Sequence, residues 1–169
     1  VTDTRVRRVL ARWRLIVPCV ALVASAAVFA VLYVTQYRVD TETDDAASAA
    51  AVRAASEGAV AMLSYKPDTL EADLAAAKSH LAGEFLNYYS DFSDEILLPA
   101  ARDRAVTTTA SVARAADAEI RPDAAKVLVF VNQTTTSRER PEPAVTASSV
   151  MVSMAKVDGK WLISAFDPI

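Results

Sequence analysis

The chain of 169 residues holds one histidine, His80, and one cysteine, Cys19. Any nucleophilic site that needs a His base must therefore use His80. It closes an alanine-rich stretch beside Lys78 and Ser79, the setting of a surface residue. No second His or Cys stands at metal-ligand spacing, which argues against zinc. With only Gly58, Gly83 and Gly159, the chain has no glycine-rich loop to cradle a phosphate. Asp91, Asp94 and Glu95 crowd one helical stretch, but adjacent acids on a helix are ordinarily a solvated face. A buried Asp beside a Tyr donor is the pair that a small cone-shaped isomerase or dehydratase would use. Tyr88, Tyr89 and Asp91 supply those groups, although both tyrosines serve as well as core aromatics. No catalytic, cofactor or metal residue is assigned, and the expectation is a protein that is not an enzyme.

Two other groups invite contact rather than catalysis. Phe85, Tyr88, Tyr89 and Phe92 either line an apolar pocket for a lipid or fill an ordinary helix–sheet core. "RERPEPAV" carries Arg138, Glu139, Arg140 and Glu142 between two prolines' worth of loop. It reads as a solvated hairpin tip and, in second place, as a partner contact. Thr107, Thr109, Ser111, Ser148 and Ser153 give the strands a face polar enough for water or another protein. Asn132-Gln133-Thr134 matches a glycosylation acceptor formally, but it falls within a predicted strand.

The elements that position these groups begin with an apolar run. "LIVPCVALVASAAVFAVLYV", Leu15 to Val34, is twenty residues without a charge. At about 1.5 Å per residue it matches a bilayer core of about 30 Å. Trp13 precedes it, and Tyr33 and Tyr37 stand at its far end, where amphipathic rings meet headgroups. Five of the 18 basic residues and one of the 21 acidic ones come before Leu15, which leaves 13 against 20 for the rest. That asymmetry puts the N-terminus in the cytoplasm and the remainder outside. The acidic body would repel nucleic acid. Ala24-Ser25-Ala26 resembles a signal cleavage site, yet the apolar run continues past it through Val34, so an uncleaved anchor is expected. Pro18 before Cys19 argues against a lipoprotein signal. The expected organisation is a basic tail over 1–14, a transmembrane helix over 15–37, a linker or helix continuation over 38–45, and an outer domain over 46–169. Ala24, Ser25, Ala26 and Ala27 would let the anchor approach another helix closely.

The outer domain reads as helices, then strands. Asp44-Asp45 cap an alanine-rich helix that Pro67 ends; Val52, Ala59, Met62 and Leu63 share a face. Asp68 to Glu71 has capping-box spacing before a stripe of Leu70, Leu74, Ala77 and Leu81. Gly83 separates this from a third helix carrying Phe85, Tyr88, Phe92 and Ile96, which closes near Pro99. After Arg104 the pattern turns alternating and β-branched, with Val106, Thr108, Ala110 and Val112 on one side. Asp158-Gly159 marks a two-residue hairpin before "KWLISAF", in which Trp161 and Phe166 clamp the last strand. About three helices and about four antiparallel strands make an α+β domain, a curved sheet wrapped round helices as a cone.

"LSYKPDTLEADLAAAKSHLAGEFLNYYSDF", "KVLVFVNQTTTS" and "ASSVMVSMAKVDGKWLISAFDPI", together with the anchor, make the chain similar to the Mce (mammalian cell entry)-associated membrane proteins of actinobacteria. The resemblance implies a nuclear-transport-factor-2-like cone outside the plasma membrane. It also implies an accessory role with Mce importers, which carry fatty acids or sterols through the envelope. Membrane lipid and the transporter proteins are then the expected partners, and the family supplies no site residues to carry over. The periplasmic scaffolds of type IV secretion systems share this anchor-plus-cone plan, a likeness of architecture alone.

Overall fold

The computed structural model describes residues 22–33 and 45–169. The chain divides into two units, Val1–Glu42 and Thr43–Ile169. In the first, residues 22–33 are helical and exposed, with Leu22 at 72% and Phe29 at 70%. Ala24 to Ala27 lie on this stretch. Among the described residues no helix is long and apolar enough to cross a membrane. The rest of the expected anchor, the basic tail and the linker as far as residue 44 lie outside the described residues.

The second unit opens with α1, Asp45–Leu63, whose inner face buries Ala51, Ala55, Ala59 and Met62. Small side chains let this helix lie close to the sheet. Gly58 is the extreme case: a Cβ there would stand 2.6 Å from Ile163 Cδ1. The helix stops before the Pro67 expected to end it, because the chain turns to pair with the first strand. Tyr65 and Thr108 exchange backbone hydrogen bonds at 2.9 Å, and the Ala110 N–H donates to Ser64 Oγ at 2.9 Å.

Helix α2, Leu70–Lys78, has Thr69 rather than Asp68 at its N-cap. The Asp73 carboxylate accepts from the Thr69 hydroxyl (2.7 Å) and reaches back to the Lys66 N–H (3.1 Å). Glu71, the expected partner in a capping box, pairs instead with Arg102. Leu81 belongs to the apolar stripe but not to the helix. It sits in a short parallel bridge to Ile163, whose N–H donates to the His80 carbonyl at 2.8 Å.

The expected third helix runs on past Pro99. Helix α3 (Gly83–Phe92) passes through a wide π turn (Ser93–Leu97) into α4 (Leu98–Arg104). Pro99 falls in the first turn of α4, where the preceding wide turn has already broken the regular ladder that proline would disrupt. The domain thus has four α-helical segments where about three were expected. Ala105, at φ 47°, ends the last of them in the left-handed region.

Four strands follow: β1 (Thr107–Ile120), β2 (Ala124–Thr136), β3 (Ala144–Val157) and β4 (Lys160–Pro168). They form one antiparallel meander in chain order. Its inner face buries Val127, Val129, Val131, Val150, Val152, Met154 and Ile163 against the helices. The alternation in β1 holds for Thr108 and Ala110, then slips at a bulge between Val112 and Arg114. Bulges of this kind bend a strand and increase sheet twist. Asp158 (φ 50°) and Gly159 (φ 78°) both take positive φ, the geometry of a type I′ hairpin turn. Phe130, central in β2, faces outward at 43% exposure, away from the helices.

Candidate functional site

The sequence of α3 supplies more aromatic surface than the core can hold. Tyr89 points inward and is 6% exposed; Tyr88 next to it is 64% exposed. Phe85, Tyr88 and Phe92 stack in a ladder along α3, with ring centroids 6.3 Å apart at each step; Phe85 is half-buried against the core, while Tyr88 and Phe92 are exposed. The interplanar angles are 24° and 12°, an offset-stacked arrangement of the kind aromatic rings favour. Ile96 extends the apolar line and is 56% exposed.

Beneath the ladder lies an open cleft of about 270 Å³ between α1, α3 and the sheet. Met62, Leu63, Tyr65, Leu97, Gln133 and Phe166 form its walls together with Phe85, Tyr88, Tyr89 and Phe92. All four aromatic residues singled out in the sequence therefore meet at one place. The π turn adds a residue to the helical cycle, which brings Leu97 round to the side of Tyr89. Phe166 comes from β4, opposite Val152, and Gln133 from β2, opposite Ala110.

The buried phenol of the cleft is tied down. The Tyr89 hydroxyl donates to the Met62 carbonyl at 3.3 Å. Burial, with Tyr65 nearby as the smaller cause, pushes its pKa up to about 12. A phenol so placed holds its proton and serves as a strut between α1 and α3. Asp91, the acid considered as its catalytic partner, is exposed on the outer side of α3. Asp94 pairs with Lys78 at 2.9 Å. His80 is half-buried between α1 and β4, not on the surface as its neighbours suggested, and its Cβ comes within 3.3 Å of a Cβ built on Gly58. Among the described residues no group of three or more His, Cys, Asp or Glu could hold a metal ion.

The charged hairpin tip lies elsewhere. The Arg138 N–H donates to the Arg104 carbonyl at 2.8 Å, and its guanidinium to the Asp103 carbonyl at 3.4 Å. Arg138 thus satisfies the carbonyl end of α4 and complements its dipole. Glu139, Arg140 and Glu142 remain exposed. A second hollow, of about 220 Å³ and lined by Glu119, Arg121, Lys126 and Ser153, contains the ion pair of Arg121 with Glu119.

Comparison with known proteins bears on this arrangement. No family model matches the chain. The outer membrane protein Rv1973 of Mycobacterium tuberculosis is 44% identical over 123 residues, which cover 73% of this chain and 76% of that protein. The chain belongs to the family of Rv1973. The uncharacterized protein Rv1362c of the same organism is 57% identical over 138 residues, 82% of this chain. The matched part is 63% of the length of Rv1362c. Among solved structures, the periplasmic domain of DotI superposes with a TM-score of 0.58 at 16% identity, covering 72% of this chain and 94% of that one. CagV of Helicobacter pylori, a VirB8 homolog of a type IV secretion system, gives 0.56 at 11% identity over 71% of this chain and 96% of that one. At such identities the likeness establishes the fold, an α+β domain of the DotI and CagV kind, and nothing more.

Sequence reasoning found the aromatic helix but not the walls opposite it. Tyr65 and Phe166 were visible as apolar residues at an element end and in an alternating strand. Only the meander order and the turn after Leu63 bring them to the same cleft.

Proposed function

We propose that this protein is a non-enzymatic accessory subunit of a multi-protein assembly in the cell envelope, specifically an Mce-type lipid import complex. In this reading residues 15–37 cross the plasma membrane once, with the N-terminus in the cytoplasm and the α+β domain on the outer side. The charge asymmetry about the apolar run supports that topology. The name of Rv1973 as an outer membrane protein and the periplasmic setting of the DotI domain support an envelope location. CagV, as part of a secretion system, is a precedent for this fold in a multi-protein assembly.

The observation that carries the proposal is the stacked ladder Phe85–Tyr88–Phe92, in which Tyr88 and Phe92 are exposed, continued by exposed Ile96. A helix that only had to cover its own core would turn polar residues outward. Contiguous exposed aromatics instead mark contact surfaces. Co-purification is the test. The tagged full-length protein, extracted from native membranes in mild detergent, should bring down Mce transporter subunits, and its deletion should lower their abundance. Isolation of the protein alone, with an intact and equally abundant transporter in the deletion strain, refutes the role.

The apolar cleft favours a second reading, a module that holds a fatty acid or sterol. Its volume of about 270 Å³ is small for that task. Drug-sized ligands occupy pockets of about 300–1,000 Å³. Native mass spectrometry of residues 43–169 with added palmitate or cholesterol decides: a bound lipid retained by the folded domain would establish this reading, and a folded domain that stays empty removes it.

A further inference from the structure

The outer side of α3 is aromatic along its middle and acidic along its borders. From Gly83 to Ala101 the chain has four acids, Glu84, Asp91, Asp94 and Glu95, and no base. Lys78 neutralises Asp94. Glu84, Asp91 and Glu95 are exposed beside Phe85, Tyr88, Phe92 and Ile96. The apolar spacing of three, four and four residues is that of a helix seam. From Phe85 to Ile96 it takes eleven steps along the chain, roughly 17 Å at the rise of a helix.

We infer that this seam docks an amphipathic helix of a partner envelope protein whose apolar stripe is flanked by Lys or Arg, with one long apolar side chain entering the cleft. The inference deepens the accessory-subunit reading and rests on it for the existence of a protein partner. Charge selects the occupant. A second copy docked through the same seam would set Glu84, Asp91 and Glu95 against themselves. An anionic bilayer surface or a fatty-acid carboxylate at the cleft mouth would meet the same acids. The chain's own arginines before Leu15 lie across the membrane in the proposed topology. Only a partner that is apolar along its seam and basic along its borders is attracted at both levels. The cleft, of about 270 Å³, has room for an inserted apolar side chain.

Two measurements test the inference. The first titrates the full-length protein in nanodiscs of zwitterionic lipid with three peptides: a Leu/Lys amphipathic helix, the same composition scrambled, and a Leu/Glu amphipathic helix. The amphipathic basic peptide should bind at least tenfold tighter than either control. Tyr88→Ala or Phe92→Ala should each weaken it roughly thirty-fold, the loss typical of an aromatic anchor. Phe130→Ala, on the opposite sheet face, should leave binding unchanged. Equal binding of the scrambled peptide, or no response to the Tyr88 and Phe92 changes, overturns the inference. Because Tyr88 is largely exposed, an unchanged thermal midpoint for Tyr88→Ala separates lost docking from lost folding.

The second measurement places a photoreactive residue at position 88 in native membranes. An adduct to a helical segment with an apolar stripe and flanking Lys or Arg supports the inference. An adduct only to lipid, to a second copy of this chain or to an acidic segment overturns it. A basic-helix adduct on a protein outside any Mce complex upholds the inference and refutes only the Mce assignment. An acidic or irregular contact segment within an intact Mce complex does the reverse.

Discussion

At Gly58 the helix α1 lies close against Ile163 of the sheet, and replacing it sets two known terms against each other. Alanine is the better helix former by about 1 kcal/mol. Its Cβ, however, would lie 2.6 Å from Ile163 Cδ1 and 3.3 Å from His80 Cβ. Ile163 is fully buried, so its methyl has little room to retreat. Overpacking of a filled core costs about 1–3 kcal/mol. Gly58→Ala should therefore lose about 1 kcal/mol net, and for a domain of this size the midpoint should fall by about 4 °C. Ile163→Val removes the very methyl that clashes and alone costs about 1 kcal/mol. In the double variant the new Cβ takes the place of the lost methyl, so the two costs should fall short of additive by about 1 kcal/mol. Urea and thermal unfolding of residues 43–169, which contain the whole core cluster, measure all four corners of the cycle. A Gly58→Ala variant more stable than the parent, or strict additivity with Ile163→Val, would show that α1 does not sit against β4 in this way.

Three further predictions concern single groups. The Tyr89 phenol ionises near 10 when free and at about 12 in the fold. Below pH 10 both states hold the proton, and above it the unfolded chain loses its proton first. Stability should therefore fall between pH 10 and 12, by at most about 3 kcal/mol. Tyr89→Phe should remove that slope while costing about 1 kcal/mol at pH 7 through the lost bond to Met62, both read from urea midpoints across the pH range. Ala105 ends α4 at φ 47°, so Ala105→Gly should raise stability by about 0.5–1 kcal/mol in the same assay. Gly159→Val should lower it by more than 1 kcal/mol, because a β-branched residue resists the positive φ of the hairpin turn.

Much of the domain was legible because local patterns and tertiary structure agree. The change from helical stripe to alternation after Arg104, the loop at Arg138–Pro143 and the turn at Asp158-Gly159 all fall where the residues indicate. Disagreement arose where a long-range contact overrode a local signal. Leu81 continues the stripe of α2, yet pairing with Ile163 pulls it out of the helix. Pro99 reads as a stop, but the π turn before it carries the helix through. His80 looked like a surface residue because the packing of α1 on β4 leaves no trace in its neighbours. The four aromatic residues of the cleft were legible as a group from their spacing. That Tyr88 and Phe92 stay exposed while Tyr89 is buried and Phe85 half-buried depends on which face of α3 meets the rest of the domain, and no periodicity within α3 states that.

The central claim is that this protein works by holding other envelope proteins, through the aromatic side of α3. Its most direct measurement is a quantitative pull-down from native membranes of the full-length protein and its Tyr88→Ala/Phe92→Ala variant, matched for expression and thermal midpoint. The account predicts transporter subunits with the parent and a roughly proportionate loss of them with the variant. Equal recovery with both, or none with either, would contradict it.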